Sequence, residues 1–199
     1  MSPSLQDEIA AVAARCVAEE GMEYGQAKRR ALKELGLPAR TALPSNELVE
    51  VAVREHLSIF CADTQPQELA VLRGLARAWM VRLAEFRPHL GGAVWRGTAT
   101  RHNDIYLQLF CDDPKSAEIA LIDQRVRFEV STVVGFQGEE VDALSVALRC
   151  DEFGQNVWLH LMVHDHDDLR GALKADANGR TWRGNLTALD ALMQGDIEK

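Results

Sequence analysis

The residues best suited to chemistry lie in the stretch LGGAVWRGTATRHNDIYLQLF, residues 90–110. Two glycines follow its first leucine, Ala93–Trp95 is short and apolar, and residues 96–98 are typical of a turn. Asp104 lies where the alternating run Ile105–Phe110 begins, and such a run predicts a half-buried strand. The stretch therefore predicts strand, turn and strand, with a carboxylate at the start of the second strand.

A second set of chemically capable side chains lies at the end of a later apolar run, residues 156–164. The set comprises His160, His164, Asp165, His166, Asp167 and Asp168. A metal ion could use His164 and His166 together with a carboxylate. Histidine and aspartate are also common at an exposed strand end, and no second region of matched ligands accompanies these residues. We therefore expect no structural metal here, and elemental analysis of the purified protein checks this.

The stretch 90–110 resembles the nucleotidyltransferase superfamily of DNA polymerase β. That family carries a Gly-Ser pair, a spacer with Arg-Gly, and then Ser-Asp-hydrophobic-Asp-hydrophobic on a strand. In this chain Gly92-Ala93 stands for the first pair, Arg96-Gly97 for the second, and Asn-Asp-Ile-Tyr-Leu at 103–107 for the acidic strand. The resemblance covers about residues 79–130.

The resemblance implies a magnesium site beside bound phosphates. It implies that Asp104 and Glu129 are the catalytic and metal-binding carboxylates, with Glu129 supplied by a later strand. The residues implied to contact the phosphates or the nucleotide are Gly92, Arg96, Gly97, Thr98 and Asn103. Magnesium in such a site neutralises triphosphate charge and lowers the pKa of the attacking hydroxyl.

Two positions depart from the family pattern. Ala93 lacks the hydroxyl that would contact a phosphate, and Tyr106 replaces the second metal-binding carboxylate. A phenol is neutral at pH 7 and binds magnesium poorly. These departures favour a degenerate site that binds a nucleotide, a phosphorylated ligand or a protein partner. An active, divergent magnesium-dependent nucleotidyltransferase is the first alternative, and an unrelated α+β metal-binding protein is the second.

Helical periodicity dominates the chain before residue 87. Apolar residues recur at helical spacing over residues 5–20, 24–35, 46–61 and 67–86. Ser4 and Ser45 are suited to cap two of these helices, and Gly21 and Gly36 to end two of them.

Strand patterns dominate the chain after residue 87. A short helix is expected to end near Asp123 and to be followed by a strand over residues 125–133. The apolar runs 143–150 and 156–164 predict a hairpin, residues 167–184 a loop with one helical turn at 169–173, and residues 187–193 a last helix.

The order of these elements predicts an α+β fold, with N-terminal helices packed on a mixed β-sheet of nucleotidyltransferase type. We expect a helical region at 1–86 and an α/β region at 87–199 that together form one compact unit. Limited proteolysis near Pro88 tests this, because release of two separately stable fragments would contradict it.

The composition, with 47% apolar and 26% charged residues, is that of an ordinary globular chain. The net charge of -8 argues against a surface built for phosphate backbones, so nucleic acid is not an expected partner. A local basic patch at Arg96, Arg101 and His102 is the exception that the sequence leaves open.

The cysteines Cys16, Cys61, Cys111 and Cys150 show no CxxC pair and no zinc-ligand spacing. Scattered thiols of this kind are typical of a reducing cytoplasm. The first residues, MSPSLQDEIAA, are acidic where a signal peptide would be basic, and no apolar run approaches the ~20 residues of a membrane span. We therefore expect a cytoplasmic protein without a membrane segment.

Overall fold

A computed structural model describes residues 4–135, 138–172, 175 and 179–197. The chain divides into two compact units. The helical unit contains the residues up to Leu69 together with Thr98–Asn103. The sheet unit contains Ala70–Gly97 and the residues from Asp104 onward. Each unit is described by itself below.

The helical unit is built from α1 (Leu5–Glu20), α2 (Tyr24–Glu34), α3 (Asn46–Phe60) and the start of α4 (Gln65–Arg82). Both predicted serine caps are confirmed: Ser4 Oγ accepts from Asp7 N at 3.2 Å and Ser45 Oγ from Leu48 N at 3.1 Å. The apolar stripes of the first three helices form one buried cluster, whose fully buried members include Ile9, Ala13, Ala27, Ala31, Val49 and Val53. Amphipathic periodicity thus determined these helices, as expected.

The segment Thr98–Asn103 is a buttressed loop of the helical unit. Thr100 Oγ1 donates to the carbonyl of Ala18 at 2.9 Å, and Asn103 Oδ1 accepts from the backbone N–H of Thr100 at 2.8 Å. Thr98, Thr100 and Asn103 are all buried. The polar atoms of Thr100 and Asn103 therefore make hydrogen bonds that hold the loop in place, and the Thr98 hydroxyl is shielded from solvent.

The sheet unit contains six strands in the order β3-β4-β5-β2-β1-β6. Their bounds are β1 His89–Gly91, β2 Ile105–Cys111, β3 Glu129–Val134, β4 Glu140–Cys150, β5 Gln155–Asp165 and β6 Arg183–Gly184. β2 and β5 are parallel, whereas every other neighbouring pair is antiparallel. The predicted α+β class with N-terminal helices and a mixed sheet is confirmed, and so is the β4–β5 hairpin.

The two faces of the central strands differ in polarity. One face is apolar and fully buried, with Ile105, Leu107, Leu109, Leu159 and Leu161 at 0% exposure. The opposite face, called the polar face below, carries Tyr106, Gln108, Ser145, Trp158, His160 and His164, and Asp104, which directly precedes β2, contacts His160 there. Burial of the apolar face supplies most of the stabilisation of this unit, at roughly 25 cal/mol per Å² of apolar surface. The polar face is left available for chemistry.

Further short helices connect the strands. They are a 3₁₀ turn at Ala84–Phe86, α5 (Gly92–Arg96), α6 (Lys115–Asp123), a 3₁₀ turn at His166–Asp168, α7 (Leu169–Ala172) and α8 (Leu186–Ile197). In the described part of the chain, none of the helices combines length and apolar character to the degree that a membrane span requires.

Two of the predicted strand boundaries are wrong. Ala93–Trp95 was expected to be a strand, but it lies in α5, and the strand before it is β1. Arg73 fixes this helical turn, because its Nε donates to the carbonyl of Val94 at 3.1 Å. β3 begins at Glu129 instead of Arg125, since Arg125 takes a left-handed conformation (φ 57°) as the chain leaves α6.

Candidate functional site

A chain of three polar side chains crosses the polar face at the start of β2. Ser145 on β4 pairs in register with His160 on β5, and His160 pairs with Tyr106 on β2. His160 Nδ1 lies 2.8 Å from Ser145 Oγ, and His160 Nε2 lies 3.3 Å from Asp104 Oδ2. The imidazole therefore connects a hydroxyl to the carboxylate and fixes the position of Asp104, whose side chain is 38% exposed.

A row of aromatic rings flanks this polar chain. The Tyr106 ring stacks on His160 with centroids 5.0 Å apart, and the Trp158 ring lies 12° from parallel to His160 with centroids 6.5 Å apart. All three residues are half-buried, so part of each ring is open to solvent. Exposed rings on a sheet face are the kind of surface on which nucleobases stack.

Glu129 lies far from Asp104. It is exposed on the edge strand β3, and β4 and β5 separate that strand from β2. Three strand spacings of ~4.8 Å place the two backbones about 14 Å apart, beyond the reach of carboxylates that share one metal ion. The structure therefore does not bring together the expected pair, because the strand after α6 pairs at the sheet edge instead of beside β2.

The glycines and arginine expected at the phosphates have other neighbours in the sheet unit. The Arg96 guanidinium lies over the Trp182 ring at 4.4 Å and donates to the Thr181 carbonyl at 3.3 Å. Gly97 ends α5 with φ 77°, and Gly92 takes φ 67° beside the Tyr106 ring. The Arg96 side chain was expected to contact the phosphates, but here it contacts Trp182.

The remaining expected phosphate contacts, Thr98 and Asn103, belong to the helical unit. Thr98 is fully buried, and Asn103 Oδ1 accepts from Thr100. The Thr98 side chain is therefore closed to solvent, and Asn103 is largely buried in this conformation. Their phosphate roles, like those of Gly92, Arg96 and Gly97, stay predictions.

The histidine cluster is divided between two places. His160 and His164 are four residues apart on β5, about 13 Å at the usual rise of a strand. His164 is buried, with Nδ1 3.2 Å from Glu139 Oε1 and Nε2 hydrogen-bonded to Gln108. Asp168, in the 3₁₀ turn after β5, lies near the same imidazole.

Burial lowers the pKa of His164, although Glu139 and Asp168 oppose this effect. Glu139 was not predicted from the sequence to be a candidate ligand. The turn between β3 and β4 brings it to His164. We expected no structural metal here because no second region of ligands was evident, and that premise is wrong, since Glu139 comes from a separate turn.

The pockets of the sheet unit lie away from Asp104. One of about 440 Å³ is lined by Met80, Arg87, His89 and Asn185, among others. A second of about 260 Å³ includes Arg87, Phe110, Asp112 and His166. Neither of these two pockets includes Asp104 or His160.

Cys111, at the end of β2, is not a candidate nucleophile. Burial, together with the negative charges of Asp113, Asp112 and Asp165, raises the pKa of its thiol to about 11. At pH 8 a thiol with that pKa is about 0.1% thiolate, the reactive form. We expect iodoacetamide to label Cys111 in the native protein at least tenfold more slowly than in urea, with a rate that rises up to about pH 11. Labelling at pH 7 as fast as that of an unfolded control would contradict this assignment.

Comparisons with known proteins give partial structural matches. No family model and no curated protein matches this chain. It is similar to Cid1 in complex with its short product ApU, at 16% identity and a TM-score of 0.37 over 52% of this chain and 32% of that one. It is also similar to Cid1 in complex with the UTP analog UMPNPP, at 15% identity and a TM-score of 0.34 over 56% of this chain and 37% of that one. A third match is the Cid1 poly (U) polymerase bound to MgGTP, at 14% identity and a TM-score of 0.33 over 51% of this chain and 33% of that one. The chain thus spans about a third of the length of each of these structures.

Proposed function

We propose that this chain is a nucleotidyltransferase-like protein that binds a nucleotide at the start of β2 and does not transfer the nucleotidyl group. The observation that carries the proposal is the environment of Asp104. Its carboxylate is oriented by His160, and the stacked rings of Tyr106 and His160 occupy the place beside it.

The absence of transfer follows from the register of the sheet. Two-metal transfer needs carboxylates that converge on the metal ions at one strand end. Position 106, where the family has its second carboxylate, carries a phenol, and its register partners on β1 and β5 are Gly91 and His160. None of these three residues supplies an anionic ligand, so Asp104 is left to act with groups of the ligand itself.

Binding of a nucleotide is supported by the chemistry of the same surface. Magnesium is commonly held by one or two carboxylates, together with waters and substrate phosphates, and Asp104 suits that role. When bound, the ion would neutralise phosphate charge. The half-exposed ring of Trp158 offers an apolar face and edge for a base, and such a contact is worth about 1 to 3 kcal/mol per base.

Calorimetric titration with ATP and with UTP, each with and without magnesium, tests the proposal. We expect the parent to bind one nucleotide in a magnesium-dependent manner and Asp104→Asn to weaken that binding about tenfold. Asp112→Asn removes an exposed carboxylate just beyond the other end of β2 and should leave the affinity unchanged. Equal affinities in the parent and Asp104→Asn, or no nucleotide binding in either, would contradict the proposal.

A protein partner is the second candidate, and the edge strand β3 favours it. Among the described residues this strand pairs only with β4, and it exposes Val130 at 54% and Val134 at 71%. An exposed apolar edge strand is a template for pairing with another chain. A parent protein without any nucleotide response would leave this candidate in place.

A further inference from the structure

The polar face carries a second group of ligand-type side chains at the far end of the β2–β5 pair from Asp104. Glu139 comes from the turn between β3 and β4, His164 from β5, and Asp168 from the 3₁₀ turn after β5. We propose that these three residues form a binding site for one divalent transition-metal ion. The site is independent of the nucleotide site proposed above.

The positions of the ligand atoms suit a single ion. One ligand atom from each residue lies within 4.8 Å of the other two, and His164 Nδ1 lies 3.2 Å from Glu139 Oε1. Ligands about 2.1 Å from a tetrahedral zinc ion are roughly 3.4 Å apart. The histidine–glutamate distance already matches this value, and small rotations of the carboxylates bring the rest of the set to it.

The electrostatics of the group favour a cation, in addition to the half-buried Arg183 guanidinium, whose positive charge also acts on His164. Glu139 Oε2 is buried and has no hydrogen-bond partner among the described residues. A buried carboxylate oxygen without a donor is costly, and a second carboxylate, Asp168, lies beside it. A metal ion between the two carboxylates and the imidazole would satisfy this oxygen and offset the repulsion.

The orientation of His164 is that of a metal ligand. Its Nε2 lies against the side-chain oxygen of Gln108 on β2, so the tautomer that is protonated at Nε2 donates to that oxygen. The other nitrogen, Nδ1, then presents its lone pair toward Glu139 Oε1. A lone pair directed at an anion is unfavourable unless a proton or a metal ion lies between them. Metal-bound histidines typically donate their second N–H to such an oxygen, and this fixes the ring.

The ligand types indicate which ions fit. An imidazole nitrogen with carboxylate oxygens suits zinc, cobalt, manganese or iron, whereas magnesium and calcium prefer oxygen ligands alone. The Glu139 side chain is 33% exposed, so an ion can reach the site from solvent, whereas the His164 side chain is fully buried. Three protein ligands leave at least one coordination position for water or a further ligand.

The experiment uses the full chain after treatment with a chelator. Calorimetric titration with Zn²⁺ and visible absorption on addition of Co²⁺ should each show one ion per chain. Glu139→Gln and Asp168→Asn keep the side-chain shape and should each weaken binding by at least tenfold. Glu140→Gln and Asp167→Asn remove exposed carboxylates that neighbour the ligands and should leave binding unchanged.

Two controls make the outcome decisive. Asp104→Asn should bind Zn²⁺ like the parent, so failure of the nucleotide proposal does not affect this test. Far-ultraviolet circular dichroism should show that Glu139→Gln and Asp168→Asn are folded. The site is refuted if the parent binds no ion at a one-to-one ratio, or if these variants bind as tightly as Glu140→Gln and Asp167→Asn.

Discussion

Tyr106→Asp should raise the magnesium-dependent affinity for a nucleoside triphosphate about tenfold, or about 1.4 kcal/mol. Asp104 lies two positions before residue 106, and both its carboxylate and the Tyr106 ring contact His160, so the substitution places a second carboxylate beside the first. Paired carboxylates bind magnesium together with the substrate phosphates far better than one carboxylate does. The gain should vanish when magnesium is omitted, because two carboxylates alone repel a triphosphate.

The matched control is Tyr106→Asn. It removes the same ring from its stack on His160 but adds no charge, so it isolates the effect of the carboxylate. We expect Tyr106→Asn to bind the nucleotide no more tightly than the parent in calorimetric titrations. An equal gain in both variants would mean that loss of the ring matters and that the strand end is not a metal site.

Gly21→Ala should destabilise the helical unit by about 3 kcal/mol. Gly21 ends α1 with φ 67°, where an L side chain costs roughly 1 to 2 kcal/mol. A Cβ there would also lie 2.1 Å from the carbonyl oxygen of His102, in the buttressed loop of the same unit. Because a backbone atom cannot rotate aside, the loop must shift, which adds roughly 1 to 3 kcal/mol.

Gly36→Ala provides the comparison, since Gly36 takes φ 66° but no atom lies within 4 Å of an added Cβ. Gly36→Ala should lower the free energy of unfolding only by the conformational cost of the left-handed backbone, about 1 kcal/mol. Urea unfolding followed by circular dichroism measures both. Equal losses in the two variants would show that the loop yields to the added methyl group without cost.

The helices could be predicted well from the sequence because their signals are local. Helical spacing of apolar residues, together with the serine caps, gave the bounds of α1 and placed α2 and α3 within one residue. The end of α4 was less well placed. The expected helix ran to Phe86, whereas α4 ends at Arg82 and a 3₁₀ turn follows, a change of helix type that periodicity does not distinguish.

The sheet was predicted in its parts but not in its pairing. The turn Asp151–Gly154 sets the β4–β5 register, and it is this register that places Ser145 opposite His160. The sequence suggested a five-residue loop. Such a loop would shift the pairing of β4 with β5 by one residue, and one of the two strands would then turn its other set of side chains to the polar face. The parallel pairing of β2 with β5 joins segments far apart in the chain, so no local pattern reveals it.

The candidate site, too, could be predicted only where its signals are local in the sequence. The position of Asp104 at the start of a strand follows from alternation and turn residues, which are local. Its contact with His160, and that of Glu139 with His164, depend on strand order. Glu129 was placed beside Asp104 because the family resemblance supplies a carboxylate from a later strand, and here that strand lies at the sheet edge.

The central claim, a nucleotidyltransferase-like site without transfer, is tested most directly by a transfer assay. ATP and UTP labelled at the α-phosphate would be incubated with magnesium, the parent protein, and either a short oligoribonucleotide or the protein alone as acceptor. We predict no labelled acceptor and no released pyrophosphate above the level without protein, since position 106 offers no second carboxylate. Repeated turnover by the parent that is lost in Asp104→Asn would contradict the claim and establish an active nucleotidyltransferase.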